Sequence, residues 1–128
     1  MAIKAIDKLI PAGDFSLIDF NDVDQNVETI VTAGSYDPGA TPVNGSKYVI
    51  DMNPGTGGSN LHANFSSRLG ADATNNLAQF DIIQYDSNAG VSGLFEIKFD
   101  ASEKGEGNLI YVKDEDKYYF YTTTGGGD

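Results

Sequence analysis

His62 is the only histidine in the chain, and an imidazole is the usual proton shuttle near neutral pH. It stands in Leu61-His62-Ala63-Asn64-Phe65, whose alternation predicts a strand with His62 on the polar face. A histidine there is expected to meet solvent or an amide rather than to drive a Ser-His-Asp relay. A zinc centre would need Asp and Glu around this one imidazole, an unusual ligand set. Cysteine is absent, which removes thiol nucleophiles, thiolate metal sites and disulfides together. Carboxylate pairs are the remaining route to catalysis, since glycoside hydrolysis needs one acid kept protonated by burial and one ionised. Asp81 and Asp86 bracket one predicted strand, and Glu96 and Asp100 lie on the outer face of the next. With 19 acids in 128 residues such pairs arise by chance. Solvated strand faces and turns that blunt sheet edges account for them, so no catalytic residue and no enzymatic activity is expected.

Binding motifs fare no better. The acidic run from Asp19 to Glu28 resembles a calcium loop until it is aligned from Asp22, where position 6 is Val27 instead of glycine and position 12 is Ala33 instead of a bidentate glutamate. Gly55-Thr56-Gly57-Gly58 lacks the following Gly-Lys-Ser/Thr and the strand-to-helix setting of a phosphate loop. Neither a metal nor a cofactor is expected.

The charge balance narrows the partners. Nineteen acids against eight bases give −11 at neutral pH and a pI near 4.2. Residues 1–46 carry seven acids and two bases and residues 47–128 twelve acids and six bases, so the excess is spread evenly. One arginine, Arg68, and seven scattered lysines make no basic stripe for phosphates, which argues against nucleic acid. No apolar run approaches the ~20 residues that span a bilayer, and Lys4, Asp7 and Lys8 interrupt the place of a secretory apolar core. If the protein works outside the producing cell, a route other than signal-peptide export is expected, such as release inside a larger particle.

Fifteen glycines, seven tyrosines and seven phenylalanines favour strands joined by tight turns. Ile3, Ile6, Leu9 and Ile10 are spaced for a helical turn or two before Pro11 and Gly13 end it. The stretch 14–20 looks extended, with Phe15, Leu17, Ile18 and Phe20 too few for a core of their own, and 27–32 is a β-branched strand. Further strands are expected over 47–52, 61–65, 77–85, 94–100, 108–113 and 117–123, with loops over 53–60 and 69–76. In 77–85 the apolar phase passes from Ala78, Phe80 and Ile82 to Ile83 and Tyr85, which marks a β-bulge or a strand buried on both faces. In 94–100, Phe95, Ile97 and Phe99 alternate with Glu96, Lys98 and Asp100, the pattern of a half-buried strand. The fold class is all-β, an antiparallel β-sandwich or small barrel of jelly-roll type preceded by an extended N-terminal arm. Residues 1–46 read as arm and linker, 47–124 as the sandwich domain, and 125–128 as a mobile tail.

Two features stand above this background. The arm holds apolar residues with no partner in their own segment. The last strand, Lys117 to Thr123, points Tyr118 and Phe120 one way and Tyr119 and Tyr121 the other, so one face meets the core while the second presents tyrosine to a subunit or ligand. Tyr118, Tyr119 and Tyr121 are the candidate interface residues.

Leu9 to Val23, LIPAGDFSLIDFNDV, resembles the opening segment of small virion proteins of tailed bacteriophages, particularly head-fibre and capsid-decoration proteins, in which a short arm precedes a β-rich outer domain. The resemblance implies that Ile10, Pro11, Gly13, Asp14, Phe15, Leu17, Ile18 and Phe20 form a capsid-binding arm. It implies a structural virion protein on the capsid surface, made in the bacterial host cytoplasm, with the major capsid protein or another virion protein as partner. A homo-oligomer follows by the same analogy, with a trimer preferred. The chain lacks the coiled-coil or collagen-like shaft of a long fibre, which favours a compact decoration protein. The alternative is a carbohydrate- or receptor-binding module of a phage tail or surface protein, using the tyrosines as stacking platforms.

Overall fold

The computed structural model describes residues 4–10, 25–101 and 109–122, with only the backbone described for 4–10, 25, 109 and 120–122. The described elements run β1 Lys4–Ile10, β2 Gln25–Val27, β3 Thr29–Val31, β4 Lys47–Ile50, a 3-10 turn at Thr56–Gly58, α1 Ala63–Ser66, α2 Ala71–Asn76, β5 Ile82–Asp86, β6 Leu94–Phe99, β7 Leu109–Val112 and β8 Lys117–Thr122. They form two four-stranded sheets, ordered β1-β8-β7-β2 and β3-β4-β5-β6. The fold is β-rich, as its composition predicts.

The sheets are mixed where antiparallel ones were expected. β2 runs parallel to β7, and β3 runs parallel to β4. The cause is a crossing at Glu28, where the chain leaves one sheet and enters the other within three residues. The link from β3 to β4 then occupies residues 32–46, long enough for the crossover that a parallel pair demands. Residues 25–31, within the segment read as arm and linker, thus supply an edge strand to each sheet.

Successive side chains of a strand face opposite ways, and β4 buries both faces. Val49 enters a cluster with Val27, Phe80, Ile82, Phe99, Ala101, Ile110 and Val112, contributed by both sheets. Tyr48 and Ile50 enter a second cluster with Val31, Ile83, Tyr85, Phe95, Leu61 and Phe65. The sheet β3-β4-β5-β6 is therefore an inner layer, covered on one face by the other sheet and on the opposite face by residues 51–77. β5 repeats the arrangement, with Ile82 in the first cluster and Ile83 and Tyr85 in the second. The bulge sits in its partner. Ile82 pairs with Phe99 and Ile83 with Ile97, so Lys98 is the extra residue of β6, and Phe99 turns to the opposite cluster from Phe95 and Ile97. The single apolar face expected for this strand is thus divided between two cores.

Two local expectations are overturned in the covering segment. Residues 61–65 form no strand. His62 caps α1, and Leu61 and Phe65, four apart, reach the same cluster from one side of the turn. Spacing at i and i+4 satisfies alternation and a helical face alike, so periodicity could not separate them. Residues 71–76, expected as loop, form α2. The strand read from residue 77 begins only at Ile82, because Phe80 adopts φ 80° and breaks extension.

The second cluster is held by edge-on ring contacts, Tyr48 to Phe65 at 5.2 Å and Phe65 to Phe95 at 5.1 Å between centroids. Such geometry adds about 0.5–1.5 kcal/mol per pair beyond burial. Tyr85 completes it from β5, donating its hydroxyl to the Ser92 carbonyl at 2.8 Å. That contact requires glycine at 93, where φ is 91° and a Cβ would fall 2.0 Å from the tyrosine oxygen.

Candidate functional site

The N-terminal segment is positioned first. Residues 4–10 form a strand, not the helical turns their spacing allowed, because so short a helix is marginal alone while β8 offers an open edge. β1 lies antiparallel on β8, with Ala5 opposite Tyr121, Leu9 opposite Tyr119 and Ile10 opposite Tyr118. The start of the expected arm and the expected tyrosine strand are thereby register neighbours. Pro11, Gly13, Asp14, Phe15, Leu17, Ile18 and Phe20 lie outside the described residues, as do Asp22 and Asp24 of the acidic run.

The tyrosine strand belongs to the β7–β8 hairpin, whose turn carries Asp114, Glu115 and Asp116. Tyr119 packs against the first core cluster and donates its hydroxyl to Glu115 Oε1 at 2.5 Å. Burial, reinforced by that carboxylate, pushes its phenol up to about 12. Tyr111 donates to Asp116 Oδ1 in the same way, and its ring lies 4.8 Å from that of Tyr118. The phenols of Tyr119 and Tyr111 are thus taken by the acidic turn of their own hairpin, and Tyr118 by ring contact. Of Tyr121 only the backbone position is described.

His62 is not arranged for a Ser-His-Asp relay. Its Nδ1 accepts the Asn64 backbone N–H at 3.0 Å as a helix cap, which leaves one ring nitrogen facing out, 3.8 Å from Asp37 Oδ2. A relay needs both nitrogens, one for the orienting acid and one for the nucleophile. Asp37 is itself held by the Asn64 side chain at 2.7 Å and the Gly39 N–H at 2.8 Å, which keep its carboxyl below the usual range.

Asp81, half of one acid pair, is 2% exposed. Its two oxygens accept the N–H groups of Ala101 at 2.9 Å and Ala78 at 3.0 Å. Burial raises it to about 6 in spite of these bonds. The carboxylate is spent on backbone amides and clamps the turn that follows α2 to the segment that follows β6.

A concavity lies beside that clamp. It is a cleft of about 590 Å³ between the loop 53–57 and residues 74–79, lined by Asn53, Thr56, Thr74, Asn75, Leu77 and Gln79 among others. Every lining residue is uncharged. One wall is fixed by an Asx turn, in which Asn53 Oδ1 accepts the Gly55 N–H at 3.0 Å, and by Asn60, whose backbone N–H donates to the Pro54 carbonyl at 2.8 Å. Gly55 has φ 75°, and a Cβ there would meet Ser59 Oγ at 2.6 Å. On the other wall Asn75 Nδ2 donates to the Ala71 carbonyl and Gln79 Nε2 to Asp51 Oδ1, both at 3.0 Å.

No family model, curated protein or solved structure matches the chain. The reading of the site therefore stands on its residues. Among the described residues no group of three His, Asp or Glu side chains is placed to hold a metal ion. Sequence reasoning missed the cleft, whose Asn53, Asn75 and Gln79 fall in stretches read as loop or strand. The glycine-rich 53–60 loop was the one signal available, and it was weighed only against phosphate.

Proposed function

We propose that this chain is a structural virion protein of a tailed phage, a capsid decoration or head-fibre-like protein that attaches through its N-terminal segment and exposes its β-rich body. The observation that carries the reading is the place of β1 at the rim of its sheet, joined to β8 by main-chain pairing. Such pairing needs no preformed pocket, and a strand of this kind can add to the sheet edge of a capsid protein or of another copy. The described members of both core clusters fall between Val27 and Val112, so the body has its own interior apart from the arm. The two sheets are read as the layers of a sandwich, and an acidic exterior keeps a crowded particle surface soluble. A trimer is the preferred assembly, by resemblance.

The test is removal of residues 1–20, which spares the buried Val27 and Val31. Loss of sedimentation with phage capsids, together with a change in oligomeric mass by light scattering, is expected. Unchanged association on both measures overturns the attachment role.

A second reading is a saccharide- or receptor-binding module. The polar cleft favours it, whereas the tyrosines offer it little, since Tyr119 is packed on the core and Tyr118 lies against Tyr111.

A further inference from the structure

We infer that the cleft between the 53–57 loop and residues 74–79 binds one or two units of a neutral saccharide. The inference deepens the module reading and is independent of the arm. Charge is the first ground. The chain carries −11, yet none of the residues lining this cleft is ionisable. A phosphate or carboxylate ligand would find no cation there, and a cationic ligand no lining carboxylate.

Hydrogen-bonding capacity is the second ground. Each amide in the cleft is anchored at one end and leaves the other unused by any described residue. Asn53 accepts with Oδ1 and keeps its amide N–H groups; Asn75 donates with Nδ2 and keeps Oδ1; Gln79 donates with Nε2 to Asp51 and keeps Oε1. Thr74 donates its hydroxyl to the Gly70 carbonyl at 2.9 Å and keeps an acceptor lone pair. Each wall thus offers donors and acceptors together, because a primary amide that gives one N–H keeps a second and the Thr56 hydroxyl can do both. Sugar hydroxyls, which donate and accept at once, match this mixture better than any singly functional group.

Pre-organisation is the third ground. The left-handed Gly55 and the bonds from Asn60 fix one wall, and the Asp81 carboxylate holds Ala78 on the other. Anchored side chains lose little freedom when a ligand arrives. Leu77, Pro54 and Ala78 add apolar surface for the C–H face of a ring, and a volume of about 590 Å³ lies within the range of small-molecule sites.

The test is a titration of the full-length, nitrogen-15-labelled chain with cellobiose, maltose and diacetylchitobiose, followed by amide NMR. Saturable shifts confined to residues 53–57 and 74–79 are expected with at least one disaccharide, at millimolar affinity on the order of −4 kcal/mol. Gln79→Ala and Asn75→Ala should each weaken binding about tenfold, and Thr56→Val, on the opposite wall, provides a third variant whose dispersed spectrum certifies the fold. No saturation with any of the three, shifts centred elsewhere, affinity untouched in all variants, or preference for an acidic sugar such as sialyllactose overturns the inference. The arm deletion reads capsid association and this titration reads sugar, so either reading can fail alone.

Discussion

The two sheets are built from similar residues and serve different ends. In β3-β4-β5-β6, side chains from both faces of β4 and β5 enter apolar clusters, and Tyr48, Tyr85 and Phe95 lock ring against ring with Phe65 of the covering α1. In β1-β8-β7-β2, the buried side chains described are Val27, Ile110 and Val112, all turned toward the first sheet, while Tyr111 and Tyr118 remain half-exposed on the hairpin. An inner sheet with two cores has little freedom to vary; an outer sheet with one can give an edge and a face to contacts. Stability is thus expected to reside in the inner sheet and association at the outer one.

The sharpest way to break that division is to truncate a ring on each side of it. Phe65 is fully buried, and Phe65→Ala should lower the unfolding free energy by about 3–5 kcal/mol, with Phe95→Ala close behind. Tyr118→Ala should cost about 1 kcal/mol or less. Urea denaturation of the three variants measures the contrast. Equal losses on the two sheets would mean that the outer layer is as much a core as the inner one.

Asp81 tests the clamp between the turn after α2 and the segment after β6. Its folded-state value, near 6, lies above the ordinary 3.8, so its ionisation opposes folding. The associated stability is fully present below about pH 4 and is lost as pH rises through about 6. A difference of about two units corresponds to ~3 kcal/mol. In Asp81→Asn this component of the pH slope should vanish, so the parent's stability relative to the variant falls by that amount between pH 4 and 7. Parallel profiles from thermal unfolding at five pH values would show that the carboxyl is not desolvated.

How far these features could be read from sequence depends on the residues. β6 was legible because Glu96 and Lys98 alternate with Phe95 and Ile97, and β7 and β8 because the acidic triplet 114–116 separates an apolar run from an aromatic one. The two-faced burial of β5 was legible from adjacent Ile82 and Ile83. Three things were not. The segment 61–65 carries a pattern common to helix and strand, and the helix wins through the His62 cap, a contact with a backbone amide that composition does not display. The parallel pairs arise from a crossing at Glu28 that involves no special residue. The cleft depends on amides brought together from 53–57 and 74–79, and proximity across twenty residues of loop and helix leaves no periodic trace.

An effect as small as that of Tyr118→Ala falls on the same outer hairpin. Tyr119→Phe deletes one hydroxyl and leaves the ring on the core, so the loss is that of a single hydrogen bond to an acidic side chain, about 1 kcal/mol. The same change should remove a phenol that titrates near 12, visible as a missing component in the ultraviolet absorbance of the alkaline titration, while Tyr48, raised to about 12 by burial in the inner sheet, stays in place. The two phenols thus distinguish the layers by cause. Tyr48 is held up by desolvation within a cluster of rings, whereas Tyr119 owes part of its shift to Glu115 at the tip of its own hairpin. Glu115→Gln should accordingly lower the Tyr119 value and leave Tyr48 almost unmoved, because only the outer tyrosine takes its partner from an exposed turn. Equal movement of both would mean that the outer hairpin is coupled to the inner core through its charge, and the separation of stability from contact would fail.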